Sequence, residues 1–246
     1  MMLGYSSSSA SVSAISASLN DAVYDKKMRD EVAAQRRFFQ GVNAEVEIMD
    51  ERSYELRNAY SSKRGKIYFG KNMFYYTIRH FNELAVAGIL AHEWGHRVQF
   101  TFHWDKQLTG PELELEADAL SGYYMALEKS FAWGQIDQYF ASTFNTGDYE
   151  VASPQHHGTP NQRVAAAYLG VQLAVEAVNS KVPFTYQELH ERIISDLHTH
   201  VINEDGTSPV TASPISEIAN GKLSGKEIVA PVLNAQERKK YYPYSN

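Results

Sequence analysis

The chain has 246 residues, 43% hydrophobic and 12% aromatic, enough to enclose a core in one domain with flexible ends. A formal net charge of −6 and the lack of a long Lys/Arg run exclude nucleic acid as a main partner, and no run of ~18 apolar residues is present to cross a bilayer. Cysteine is absent, which removes disulfides, thiolate ligands and a cysteine nucleophile together, so any metal must be held by His and carboxylates.

Residues 1–19 are Ser/Ala-rich and read as a flexible tail; the run from Tyr5 to Ser18 fits a mature end left after signal removal, and equally an uncleaved disordered tail. The expected location is extracytoplasmic, periplasmic or secreted, with the cytoplasm as the alternative. Residues 20–41 carry Val23, Met28, Val32, Phe38 and Phe39 in a helical pattern that stops at Gly41. Val46 and Ile48 alternate with Glu45 and Glu47, which predicts a half-buried strand over 44–49; a second short strand is predicted over 65–69, with a Tyr/Asn/Ser loop between them. Residues 82–102 form a proline-free helix with Asn82 as N-cap and Leu84, Ala85, Ile89, Val98 and Phe102 among its apolar positions.

That helix contains His92-Glu93-Trp94-Gly95-His96. Residues four apart share a helix face, so His92 and His96 can direct imidazole nitrogens at one ion while Glu93 reaches the space beside it. Such spacing points to a mononuclear zinc hydrolase. Three protein ligands hold the ion, a water at the fourth position has its pKa lowered from about 15.7 to about 7, and Glu93 serves as general base. A third histidine at the extended spacing is missing, because those positions are Gln99 and Phe102, and His103 lies about 10 Å further along the axis than His96. The acidic segment from Pro111 is predicted as a helix through Leu127. Glu114 is the predicted third ligand: Asp118, four residues on, shares its face and can accept the second N–H of a ligand histidine. Glu112 and Glu116 lie about 200° around the helix from Glu114 and read as solvated charges near a helix N-terminus.

Further helices are expected over 133–147 and 160–180, the latter largely buried. The breaker-rich loop between them delivers Asp148, His156 and His157, with Arg163 just beyond it. His157 is assigned as the donor that steadies the oxyanion of peptide hydrolysis, with His156 as its competitor and Tyr123 and Tyr124 as weaker alternatives. A helix over 185–202 carries His190, His198 and His200, which have no metal spacing and read as surface histidines. Residues 203–246 read as an extended or disordered tail, leaving 20–202 as the catalytic domain.

Three ordered motifs, the octet at 92–99 (HEWGHRVQ), the nonet at 114–122 (ELEADALSG) and the heptad at 157–163 (HGTPNQR), together resemble the bacterial neutral zinc metallopeptidases. These gluzincin-type proteins share features with the CAAX prenyl protease and its heat-shock relatives, and the resemblance covers about residues 44–170. It implies zinc on His92, His96 and Glu114, Glu93 as base, and a zincin-like α+β, predominantly helical domain with a small antiparallel sheet beside the active-site helix. In that group the strand before the active helix docks an extended substrate by main-chain pairing, which makes residues 65–70 the candidate edge. The expected activity is zinc-dependent hydrolysis of peptide bonds in a peptide or protein substrate by a chain assumed monomeric. Two alternatives stand beside it: an amidase or aminopeptidase acting on short or cell-wall peptides, and a non-enzymatic, zinc-supported binding module.

Overall fold

A computed structural model describes residues 14–16, 18–129, 139, 141–143, 145 and 157–202. In chain order its elements are β1 (Ala14–Ser16), α1 (Ala22–Phe38), β2 (Glu45–Asp50), β3 (Ala59–Ser61), β4 (Lys66–Gly70), α2 (Lys71–His80), α3 (Glu83–Phe102) and α4 (Gly110–Lys129), then α5 (Pro160–Ser180) and α6 (Tyr186–Asp196), which runs on as a π-helical turn (Leu197–Val201). The fold is α+β and predominantly helical, as expected.

Local chemistry sets the helix starts. Asp21 accepts from Val23 and Tyr24 N–H at the head of α1, and Asn82 accepts from Ala85 N–H at the head of α3. Thr159 with Gln162 and Thr185 with Glu188 form capping boxes for α5 and α6. α2 has no such local signal, and the sequence reading assigns nothing to it. Its first turn is capped from a distance by Glu51, whose carboxylate accepts from Asn72 N–H at 2.9 Å and Met73 N–H at 3.3 Å.

The sheet corrects two expectations. Its strand order is β1-β2-β4-β3, with β2 and β4 parallel and the two outer pairs antiparallel, so it is mixed and not purely antiparallel. β3 and β4 form a hairpin that turns at Gly65, where φ is 90°, and β4 inserts between β2 and β3. β4 therefore lies inside the sheet, and β3, within the stretch read as a loop, is the edge near α3. Within the stretch read as a tail, Ala14–Ser16 pair with β2, and buried Leu19 donates its N–H to Asp25 at 2.7 Å. Only Tyr139, 141–143 and Asn145 of the helix expected over 133–147 are described, and 203–246 lies outside the described residues. No described helix is long and apolar enough to cross a membrane.

α3 and α4 run through the core, with Trp94 fully buried and stacked on Phe39. Arg97 ties α3 to the sheet side, donating to Asn43 O at 3.1 Å and Ser62 O at 2.7 Å. Small residues bring α4 close to its neighbours: a Cβ on Gly95 would sit 2.9 Å from Ala117 Cα, and one on Gly170 would sit 1.8 Å from Ala119 O. The obstacle at Gly170 is rigid helix backbone, so Gly170→Ala should destabilise the fold by about 1–3 kcal/mol. Urea unfolding measures this, and an unchanged midpoint would refute the close α4–α5 contact.

Candidate metal centre

α3 carries His92, Glu93 and His96, and the close approach at Gly95 lets α4 bring Glu114 against them. His92 Nε2 and His96 Nε2 are 3.1 Å apart, Glu114 Oε2 is 3.4 Å from the first, and Glu114 Oε1 is 3.6 Å from the second. A tetrahedral ion with ligand bonds of 2.0–2.1 Å separates its ligand atoms by about 3.3 Å, so the spacing fits zinc, as does a donor set of two imidazoles and one carboxylate. Among the described residues this is the group whose ligand atoms converge to hold a metal.

The groups behind the histidines set their tautomers. Asp118 Oδ1 lies 2.9 Å from His92 Nδ1, and the same carboxylate is gripped by the Arg163 guanidinium through Nη2 at 3.0 Å and through Nε. Gln99 donates its amide N–H groups to Leu113 O at 2.8 Å and Glu116 Oε2 at 3.0 Å, which turns its carbonyl toward His96 Nδ1 at 2.8 Å. Both Nδ1 atoms therefore donate outward, and both Nε2 atoms face inward.

Two facing lone pairs need a cation between them. Burial opposes a charge on His92, yet Asp118, by charge and hydrogen bond, together with Glu114 raises its pKa to about 9. Burial and the facing His92 lower His96 to about 4. In the metal-free chain these opposite shifts favour the extra proton on His92 over His96, whose Nε2 atoms face each other at 3.1 Å. Burial also works against charge on Glu114, but His96, His157, His92 and Arg163 hold its carboxyl well below the usual carboxylate range.

Glu93 is fully buried, and among the described residues neither carboxyl oxygen has a hydrogen-bond partner. Burial pushes its pKa up to about 7. Its carbonyl accepts from Ser61 Oγ at 2.6 Å, which docks the edge strand β3 directly beside it. His157 comes from the loop before α5, with Nδ1 3.4 Å from Glu114 Oε1, and its side chain is 21% exposed against 5% and 3% for His92 and His96.

Every predicted site residue, His92, Glu93, His96, Glu114, Asp118 and His157, is thus brought into one cluster. His156 and Asp148 lie outside the described residues. Tyr123 and Tyr124 belong to the core: Tyr123 packs on Phe38 and Phe184, and the Tyr124 hydroxyl donates to Glu31 at 2.6 Å. Glu116 is not a solvated charge, being fully buried and bonded to His190 at 2.6 Å. His190 is therefore not a surface histidine, and His198, though exposed, reaches Glu112 at 2.5 Å. Gln99 had a sequence signal, since it lies three residues after His96 on the same helix face. Arg163 closes the third motif and flanks the breaker-rich loop without an assigned role, and Ser61 carries no sequence signal. No protein-family model, no curated protein and no solved structure matches the chain.

Proposed function

We propose that the chain is a zinc-dependent peptidase that cleaves peptide bonds with water, using Glu93 as general base. The observation that carries this reading is the inward convergence of two Nε2 lone pairs and the Glu114 carboxylate, with both Nδ1 atoms committed elsewhere. The resemblance of the three motifs points the same way. His92, His96 and Glu114 would hold the ion, which when bound acts as a Lewis acid on water and on the scissile carbonyl. Glu93, buried and with a pKa near neutrality, takes a proton from the attacking water and returns it to the leaving amine. His157, the one imidazole of the cluster that reaches solvent appreciably, donates to the carbonyl oxygen as negative charge builds there. An extended peptide paired along β3 would pass beside Glu93 through the Ser61 contact.

Elemental analysis of purified protein together with casein hydrolysis, with and without a chelator, tests the reading. About one zinc per chain with chelator-sensitive cleavage is expected; a chain that takes up no zinc would overturn it. A second reading, a hydrolase of short peptides, draws on the depth of the site, where His92, Glu93, His96 and Glu114 are no more than 4% exposed. It predicts cleavage of short peptides under conditions where casein survives.

The extra proton on His92 competes with metal. Apparent zinc affinity should rise about tenfold per pH unit as pH approaches 9, because each ion bound displaces the proton on His92. Titration against a competing chelator at several pH values reads this slope, and a flat profile would mean that His92 is neutral in the metal-free chain.

A further inference from the structure

Beyond Asp118 and Arg163, the cluster leans on a second chain of hydrogen bonds that the proposed reaction does not use. It starts at His96 Nδ1 and passes through Gln99 to Glu116 Oε2. The other oxygen of Glu116 lies 2.6 Å from His190 Nδ1, and the His190 ring stacks on Trp104 with centroids 3.9 Å apart. Glu116 is fully buried, so both of its oxygens are satisfied inside the protein by groups from two other helices. One helical turn earlier on α4, Glu112 Oε1 is held by His198 Nε2 at 2.5 Å. α6 and the turn that follows it therefore grip α4 two residues before and two residues after Glu114.

We propose that α6 is a splint for the metal centre and that His190 is a positioning residue, acting on His96 through Glu116 and Gln99. The inference rests on the zinc-site reading and deepens it. The physical link is the orientation of one amide. Gln99 presents its oxygen to His96 only while its nitrogen has Glu116 and Leu113 to donate to. Without the His190 N–H, Glu116 is a buried carboxylate lacking half its partners and shifts toward whatever donor remains. Gln99 is then free to turn its NH2 toward His96, whose Nδ1 must accept, and the proton moves to Nε2, where the ion has to bind. Loss of such an outer partner weakens metal binding by about 10–100-fold.

Two substitutions separate the N–H from the ring. His190→Phe keeps a ring against Trp104 but has no donor, and His190→Asn keeps a donor near the Nδ1 position but has no ring. Zinc affinity is measured by competition with a chromophoric chelator, and the visible spectrum of the cobalt-loaded protein reports ligand geometry. The expected result is a 10–100-fold weaker zinc complex and altered cobalt bands for His190→Phe, with His190→Asn returning most of both. His190→Leu removes the same N–H and serves if the Phe variant does not fold. Wild-type affinity and spectrum in the variants without a donor would overturn the splint, as would an Asn variant no better than Phe. Failure of the wild-type chain to bind zinc at all would instead overturn the metal site, and this inference with it.

Discussion

Glu93→Gln is expected to keep one zinc per chain and to lose about 10²–10⁴-fold in hydrolysis, the usual contribution of a positioned base. Glu93 lies one residue from a ligand histidine but stands outside the converging group formed by His92, His96 and Glu114. An amide of the same shape leaves those ligands in place but cannot accept a proton. The fold should tolerate the change. Burial raises the Glu93 pKa from its ordinary 4.5 to about 7, so its contribution to stability is present below the unfolded value and is lost as pH rises through 7. Gln cannot ionise, so the variant should be at least as stable as the wild type above neutrality. His96→Ala behaves differently, removing a ligand and with it the metal. Zinc content, unfolding midpoint and casein turnover on the two variants decide the matter. Normal turnover in Glu93→Gln would remove Glu93 as the base, and lost zinc would give it a structural role instead.

What could be read from the sequence was local. The pentad, its place in α3 and the Asn82 cap involve residues close together along one helix. Glu114 with Asp118 was legible for the same reason, being four apart on one helix. The rest depends on pairings across long stretches of chain. β4 is interior because β2 and β3 both pair with it, an outcome that no alternation within residues 65–70 encodes. α2 is capped by Glu51, 21 residues before the Asn72 N–H that it accepts from. Glu116 looks like a first-turn charge until α6 places His190 against it, 74 residues later.

Arg163→Met is expected to cost about 3–5 kcal/mol in the metal-free chain, the range for stripping one partner from a buried ion pair. Arg163 is 1% exposed, forks onto Asp118, and has Nη1 3.5 Å from Glu114 Oε2. Asp118 and Glu114 are themselves only 3% and 2% exposed. Methionine fills much of the space but leaves two carboxylates at the bottom of the site with the extra proton on His92 as their nearest positive charge. The acidic excess turns this into a test of the centre itself. A divalent cation on His92, His96 and Glu114 supplies charge where Arg163 no longer does, so zinc should restore more stability to Arg163→Met than it adds to the wild type. Denaturant unfolding of both proteins, with and without zinc, gives the four free energies needed. A metal-free loss below about 1 kcal/mol would mean that Asp118 is not held as a buried charge. Equal zinc stabilisation of the two proteins would separate Arg163 from the metal centre, leaving it a strut between α4 and α5.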